Sequence, residues 1–227
     1  GWNYDVMVGG RYHNGNAAYY ETYGVGNFLS LGGGESATGY VNKGENRKVY
    51  HSDINGKEIP NIITGYINNL TKYSLFPNES YVFSRRSEIV NDPRYWNTLY
   101  LGKDHKLWKS ENGGSGFSLV KAFGTEEEDL VKAIEVSRQN TNLIFVTQKV
   151  GSSGKLWKSE DGGSTWSDIN LPFTSNETMY LSINIEHELF LALRNGWDNN
   201  NKVFKSTDLG NSWTNLSTDI FDGERIV

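Results

Sequence analysis

"KLWKSEDGGSTW", residues 155–166, occurs three times along the chain in slightly different forms. The other two copies are KLWKSENGGSGF, residues 106–117, and KVFKSTDLGNSW, residues 202–213. The serines of the three copies are 49 and 47 residues apart: Ser110, Ser159 and Ser206. A near-constant period of this length indicates a fold assembled from repeated units.

Each clear unit also contains four short segments with the composition of β-strands. In the unit around the quoted stretch, LVKAIEV (130–136) and LIFVTQ (143–148) are rich in β-branched and aromatic residues. KLWKS and STWSDI follow after a glycine-rich loop. Four-stranded units of about 45 residues are typical of the blades of a β-propeller. The sequence therefore predicts an all-β fold, a β-propeller of four-stranded blades.

The spacing also predicts the number of blades. A weaker copy, AYYETYGVGNFL, places Thr22 at the serine position, 88 residues before Ser110 and thus close to two periods away. We therefore predict about five blades in a single propeller domain or segment. Residues 223–227 either close a small ring or begin a blade of a larger propeller, and both alternatives stay open. The predicted blades are residues 1–31, 32–79, 80–121, 128–170 and 178–217.

The quoted stretch is predicted to form the hairpin between the third and fourth strands of a blade. Asp161, and Asn112 in the first copy, can accept hydrogen bonds from backbone N–H groups of their own turn. Gly162 and Gly163 allow the positive φ angles of such a turn. Trp166 is a large apolar side chain that can fill the space between neighbouring sheets. Every residue of the stretch thus has a structural role.

The pattern Ser-x-Asp-x-Gly-x-Thr-Trp resembles the Asp box, or BNR repeat, of sialidases, sortilin-type receptors and xyloglucanase-like glycoside hydrolases. The resemblance implies a β-propeller in which the boxes lie on the face opposite the usual active site. The residues that carry the resemblance are Ser159, Asp161, Gly163, Thr165 and Trp166 in the full match, Ser206, Asp208, Gly210 and Trp213 in the third copy, and Ser110, Asn112, Gly114 and Phe117 in the first.

The N-terminal part has a second resemblance. DVMVGGRYHNGNAAYY (5–20) and GYVNKGENRKVYHSDINGKEIP (39–60) are similar to propeller segments of secreted, multi-domain surface proteins of Bacteroidetes. This resemblance implies a secreted or cell-surface protein whose export signal lies outside this chain. It also implies contacts with other domains or chains of a larger surface assembly.

Composition and charge narrow the range of partners. The chain has 227 residues and a net charge of −5, and its 22 basic residues are scattered instead of forming a stripe. This distribution argues against a nucleic-acid partner. No apolar run approaches the roughly 18 residues that span a bilayer, so no membrane span is predicted.

The candidate ligand-binding face consists of the loops between second and third strands and the connections between blades, where ligand sites of such folds collect. These loops are residues 11–16, 102–106, 149–155 and 194–202, joined by 123–129 and 173–177. The candidate residues are Arg11, Tyr12, His13, Asp104, His105, Glu127, Asp129, Arg194, Trp197 and Asp198.

We expect this face to bind carbohydrate or protein without catalysis, because aromatic side chains such as Tyr12 and Trp197 suit a sugar ring or a peptide. The alternative is a glycoside hydrolase, either xyloglucanase-like or sialidase-like. The first needs two opposed carboxylates. The second would use Arg11 and Arg194 with Tyr12, although the Arg-Ile-Pro signature that normally precedes the boxes is missing. The catalytic residues of such an enzyme are unknown. The carboxylates available to it are Asp104, Glu126, Glu127, Glu128, Asp129 and Asp198.

No cofactor and no metal site are predicted, and calcium stays open as an alternative. The segments WDNNNK (197–202) and DINGKE (53–58) offer hard oxygen ligands that suit Ca²⁺, but neither follows the spacing of a twelve-residue calcium loop. The four histidines lie in different units with no paired spacing, which argues against zinc.

Overall fold

The computed structural model describes residues 6–11, 15–32, 39–44, 47–51, 57–62, 71–72, 87–173, 179–193 and 201–217. Within these residues the regular structure is β-strand apart from a short 3-10 helix at Glu21–Tyr23. The strands form five sheets of consecutive strands, which we number 1 to 5 in chain order. Sheet 1 contains three described strands and each of the others four. The predicted all-β fold of four-stranded units is confirmed.

The strand bounds are as follows: in sheet 1, β1 (Val6–Arg11), β2 (Gly15–Tyr20) and β3 (Leu29–Gly32); in sheet 2, β4 (Gly39–Val41), β5 (Lys48–His51), β6 (Lys57–Glu58) and β7 (Thr71–Lys72); in sheet 3, β8 (Val90–Asn91), β9 (Leu99–Lys103), β10 (Lys106–Ser110) and β11 (Ser118–Ala122); in sheet 4, β12 (Val131–Val136), β13 (Ile144–Val150), β14 (Ser153–Ser159) and β15 (Ser167–Ile169); in sheet 5, β16 (Met179–Ile183), β17 (Leu189–Leu193), β18 (Val203–Ser206) and β19 (Thr214–Asn215).

The chain divides into two compact units. Unit 1 comprises Gly1–Ser84, Tyr95–Leu99 and Lys109–Ser118. Unit 2 comprises Arg85–Arg94, Tyr100–Trp108 and Leu119–Val227.

The core of unit 2 explains why β13 begins with three buried apolar residues, Ile144, Phe145 and Val146. Successive side chains of a strand point to opposite faces of its sheet. Ile144 and Val146 belong to a cluster with Leu107 of sheet 3, whereas Phe145 belongs to a second cluster with Leu191 of sheet 5. Sheet 4 is therefore covered on both faces by neighbouring sheets, as in a propeller blade.

The core of unit 1 is a separate cluster that combines sheets 1 and 2. Ala18, Tyr20 and Leu31 of sheet 1 pack with Val49 of β5 and with Ile59, which follows β6. The weaker repeat falls between β2 and β3. The Thr22 hydroxyl there donates to the backbone carbonyl of Asn61, whereas the box serines donate within their own turn.

Two of the predicted surface loops are much shorter than the sequence indicated. Val150 pairs with Ser153, so Gly151 and Ser152 alone connect β13 to β14. Similarly, only Asp104 and His105 separate β9 from β10. Most of residues 102–106 and 149–155 therefore belong to strands.

Candidate functional site

Three of the loops expected to carry a ligand site, residues 102–106, 123–129 and 149–155, come together in unit 2. The Asp104 carbonyl accepts the N–H of Val131 at 2.8 Å, and the His105 carbonyl accepts the N–H of Phe123 at 2.9 Å. The connection between sheets 3 and 4 thus starts and ends beside one hairpin turn. We call the turns 104–105 and 151–152, together with the connecting residues 123–130, the rim.

The second hairpin of the rim also forms hydrogen bonds with this connection. The Gln148 side-chain amide donates to the carbonyls of Phe123 at 2.9 Å and Asp129 at 3.0 Å. The Gly151 N–H donates to Asp129 Oδ1 at 3.1 Å, and the Trp157 indole N–H donates to Gln148 Oε1 at 3.0 Å. Gln148 was not among the predicted site residues. A polar residue at the end of the apolar segment LIFVTQ is the signal that could have identified it.

Two predicted ligand-contacting residues, Asp104 and His105, are buried, at 5% and 7% exposure. Lys103 Nζ and Asp104 Oδ2 form an ion pair of 2.7 Å that is itself almost fully buried. Asp104 has a φ of +52°, which is uncommon for a residue with a side chain. These side chains therefore contact the protein and shape the hairpin.

The four acidic residues of the segment 126–129 have two different roles. Asp129 is half-buried and its carboxylate is used within the rim, whereas Glu126, Glu127 and Glu128 are exposed. The Thr125 hydroxyl donates to Glu126 Oε1 at 2.9 Å. The rim thus presents three carboxylates on a loop whose two ends are fixed.

The remaining predicted site residues cannot be placed against the rim. Arg11 ends β1, opposite Gly15. The others lie outside the described residues: Tyr12, His13, Arg194, Trp197 and Asp198. Most of the two oxygen-rich segments weighed for calcium also lies outside them. Within the described residues, no group of three or more His, Asp or Glu side chains could hold a metal ion.

The second and third boxes share one hydrogen-bond pattern, and its atoms are used inside the turn. In the second, Ser159 Oγ accepts the Gly163 N–H at 2.8 Å and donates to Asp161 Oδ1 at 2.8 Å. Asp161 also accepts the backbone N–H of Thr165 at 2.8 Å and its hydroxyl at 2.6 Å. The third box repeats these four bonds at 2.6 to 2.8 Å with Ser206, Asp208, Gly210 and Ser212.

The first box keeps part of this pattern without a carboxylate. Ser110 Oγ accepts the Gly114 N–H at 2.9 Å and donates to Asn112 Oδ1 at 2.9 Å. Asn112 Oδ1 then accepts the Gly116 N–H at 3.2 Å. Phe117, at the tryptophan position, is buried.

The hydrogen bonds of the box carboxylates lower their pKa. The Thr165 hydroxyl, followed by the Thr165 N–H, lowers the pKa of Asp161 to about 2. The Ser212 hydroxyl and N–H do the same for Asp208, whose pKa is also about 2. A carboxylate that accepts several hydrogen bonds is held in its charged form. Neither aspartate is therefore suited to act as a proton donor at neutral pH.

The box tryptophans differ from one another. The Trp166 indole N–H donates to the Gly163 carbonyl at 2.8 Å, and its ring meets Phe123 edge-on at a centroid distance of 5.1 Å. The Trp213 indole nitrogen is buried and has no hydrogen-bond partner among the described residues. Trp166 therefore links its box to the rim residue Phe123.

Glu135 is a titratable residue that the sequence reasoning did not select. It lies on β12 opposite Phe145, on the sheet face that sheet 5 covers. Burial raises its pKa from 4.5 to about 7, and the nearby Arg138 partly offsets this rise. A glutamate within a strand of mostly apolar residues was the available signal.

Comparison with known proteins identifies one matching family. The family described as Sortilin-Vps10 (sortilin, neurotensin receptor 3) matches residues 105–223. No curated protein sequence matches the chain. No helix among the described residues is long and apolar enough to cross a membrane.

Two solved structures share the fold. An ancestral GH74 enzyme has a TM-score of 0.54 and 19% identity, over 79% of this chain and 23% of its own. The GH74 xyloglucanase from Xanthomonas campestris has a TM-score of 0.52 and 11% identity, over 94% of this chain and 32% of its own. The chain thus spans less than a third of either enzyme. Because the matching family covers more than half of this sequence, the chain belongs to the Sortilin-Vps10 family of Asp-box β-propellers.

Proposed function

We propose that the chain is an interaction module of a secreted or cell-surface propeller protein, that it binds its ligand at the rim, and that it is not itself catalytic. One observation carries the proposal. The loop that carries Glu126, Glu127 and Glu128 is hydrogen-bonded at both ends to two neighbouring hairpins. Its exposed carboxylates therefore project from a fixed backbone.

A fixed loop favours binding because less conformational freedom is lost when the ligand docks. Three neighbouring carboxylates, in a chain whose net charge is −5, attract a positively charged partner and raise its association rate. Of the two expected ligand classes, carbohydrate and protein, these charges favour a basic segment of a protein. The hydrogen-bonding side chains that hold the loop, Gln148 and Asp129, act by positioning it.

The test compares two triple variants with the same change in net charge. The rim variant is E126Q/E127Q/E128Q, and the control is E111Q/E160Q/E186Q, whose glutamates are exposed on other turns. Binding to a synthetic lysine-rich peptide is measured by biolayer interferometry at several salt concentrations. We expect the rim variant to bind at least tenfold more weakly and with a smaller salt dependence, and the control to resemble the parent chain.

Equal losses in both variants would show that only net charge matters and would overturn the proposal. The enzymatic alternative is tested on the same proteins with xyloglucan and a sialoside as substrates. If the chain hydrolyses either substrate and E127Q or D129N abolishes this turnover, the chain is a glycoside hydrolase and not a binding module.

A further inference from the structure

A β-bulge interrupts the pairing of β12 with β13 at Lys132. Val131 is opposite Gln148 and Ala133 is opposite Thr147, so Lys132 is an additional residue on β12. In sheet 5, β16 pairs with β17 over its five residues without such an interruption. A sheet of this protein therefore does not require the bulge. Bulges re-aim a side chain and are frequent next to functional sites.

The hydroxyl group of Thr147 takes part in the bulge. The Ala133 N–H donates to Thr147 Oγ1 at 3.0 Å, and Thr147 Oγ1 donates to the Met179 carbonyl of sheet 5 at 3.2 Å. Thr147 is 1% exposed, so its hydroxyl is shielded from water. A buried hydroxyl that both accepts and donates a hydrogen bond is fixed in position. Thr147 therefore fixes the backbone immediately after Lys132.

A second lysine, Lys149, lies beside the bulge. Its N–H donates to the Leu130 carbonyl at 2.8 Å, and on the other side Lys149 pairs with Gly154. Lys132 and Lys149 are both half-buried. The pKa of Lys132 is lowered, first by burial and then by the positive charge of Lys149. The two ammonium groups are therefore close enough to repel each other.

These two ammonium groups have no counter-charge in the part of the chain that the structure describes. There, neither Lys132 nor Lys149 forms an ion pair or a side-chain hydrogen bond. Asp129, the rim carboxylate next to this strand, accepts the Gly151 N–H instead. Half-buried charges without partners cost free energy, which an anion bound between them would offset. A carboxylate neutralises one of the two charges, whereas a phosphate group carries about two negative charges at neutral pH.

We propose that Lys132 and Lys149 bind a phosphate group at the bulged edge of sheet 4. The inference goes beyond the proposed function, since it concerns other residues and a ligand of the opposite charge. Each ammonium group donates charge-assisted hydrogen bonds to the phosphate oxygens. Thr147 is a positioning residue, because its hydroxyl maintains the bulge that carries Lys132. The phosphate group is either the free ion or part of a phosphorylated peptide, and the two sources share this chemistry.

The experiment measures the binding of inorganic phosphate by isothermal titration calorimetry, with sodium chloride keeping the ionic strength constant. K132Q and K149Q each remove one of the two charges. The matched control is K121Q, because Lys121 is an exposed lysine on β11. We expect K132Q and K149Q to lose about tenfold in affinity or more, since each lacks a hydrogen bond to a charged group. K121Q should bind phosphate as the parent chain does, and acetate should bind the parent chain more weakly than phosphate.

Two variants of Thr147 test the role of the bulge. T147V removes the hydroxyl at nearly constant volume, whereas T147S keeps it. T147V should bind phosphate more weakly, and T147S should bind it as the parent chain does. Thermal unfolding shows whether each variant is folded. Phosphate should also raise the melting temperature of the parent chain and of K121Q more than that of K132Q, because a ligand stabilises the folded state that binds it.

Unchanged phosphate affinity in folded K132Q or folded K149Q would overturn the proposal. An equal loss in K121Q, equal affinity for acetate, or no binding of phosphate to the parent chain would also overturn it. Unchanged affinity in folded T147V would overturn the role of Thr147.

A peptide with one phosphoserine and its serine counterpart distinguish the two sources of phosphate. Tighter binding of the phosphopeptide, lost in K132Q, assigns the site to a phosphorylated ligand. Equal binding of the two peptides, with inorganic phosphate still bound, assigns the site to the free ion. The E126Q/E127Q/E128Q variant should bind inorganic phosphate at least as tightly as the parent chain, so failure at the rim and failure here are distinguishable.

Discussion

Replacing Gly163 with alanine tests how the second glycine of each box holds neighbouring sheets together. Gly163 has a φ of +99°, and its N–H donates to Ser159 Oγ. A Cβ atom there would lie 2.9 Å from Cγ1 of Val120, which belongs to β11 of the preceding sheet. Gly163→Ala therefore introduces both backbone strain and a clash between sheets 3 and 4.

The two contributions can be estimated separately. A left-handed conformation costs an alanine roughly 1–2 kcal/mol. An extra methyl group forced into a packed interface costs about 1–3 kcal/mol. Together they predict that Gly163→Ala lowers the free energy of unfolding by about 2–5 kcal/mol. Gly151→Ala is the matched control, because Gly151 has a φ of +55° and nothing within 4 Å of its Cβ position. It should show the cost of a left-handed alanine without any clash.

The assay is urea unfolding followed by tryptophan fluorescence, with the midpoint and slope compared among variants. A rescue variant then tests whether the clash with Val120 causes the loss of stability. Val120→Ala alone should cost about 1–2 kcal/mol, since it removes two partly buried methyl groups. In Gly163→Ala/Val120→Ala the clash is gone, so the double variant should be more stable than the sum of the single effects predicts.

Two results would refute the reasoning. If Gly163→Ala were no more destabilising than Gly151→Ala, the approach of Val120 would have no energetic consequence. If the effects of Gly163→Ala and Val120→Ala were simply additive, the strain would lie in the turn alone and the boxes would not determine the spacing of the sheets.

Two further predictions concern pH. The pKa of Asp161 and of Asp208 falls from 3.8 to about 2 on folding, so their stabilising contribution is complete above pH 4 and lost as the pH falls towards 2. Over this pH range the urea midpoint of D161N/D208N should therefore change less than that of the parent chain. Equal changes in the two proteins would contradict the prediction. The pKa of Glu135 rises from 4.5 to about 7 on folding, so the protein loses stability as the pH rises from 4.5 through 7. E135Q should therefore be as stable as the parent chain at pH 4 and more stable at pH 8. An E135Q variant that is less stable than the parent chain at pH 8 would contradict the prediction.

The repeat made the sheets and boxes predictable. The quoted stretch has the same residue types at the same spacing in three places, so one interpretation of the turn had to fit all of them. Asp161 and Asp208 do accept bonds from their own turns. These are local interactions between residues at most four positions apart, and local interactions are what a short motif records.

The hairpin beside the rim was only partly predictable because one of its glycines has a role that involves another sheet. Gly154 was assigned to a glycine-rich loop, but it pairs with Lys149 inside the hairpin. A Cβ atom there would lie 2.8 Å from Cε of Met179, on sheet 5. A glycine within a strand often marks close approach by another segment. The sequence of one blade does not contain its neighbour, so the spacing of VGSSG could not distinguish the two roles.

The burial of Asp104, His105 and Gln148 was missed for the same reason. Asp104 and His105 are polar residues of a turn and Gln148 is a polar residue near the end of β13, a pattern that normally indicates a solvated loop. In the structure residues 123–131 lie against these three residues and form hydrogen bonds with them. Their surroundings come from residues around 20 positions away, and a local pattern contains no information about them.

The positions of the glycines indicate where the sequence of a blade can vary. In sheet 4, Gly163 in the box and Gly154 near the opposite end of β14 both have a neighbouring sheet within 3 Å of their Cβ position. Gly102 in β9 is similar, since a Cβ atom there would lie 2.4 Å from Val131 Cγ1. Gly124, in the connection, has only Asp129 Oδ2 nearby, at 3.9 Å. Sheet packing therefore restricts both ends of the hairpins, whereas residues 124–128 of the connection are exposed. Substitutions in that segment can change the ligand without changing the spacing of the sheets, which is why the proposed binding site lies there and not in the boxes.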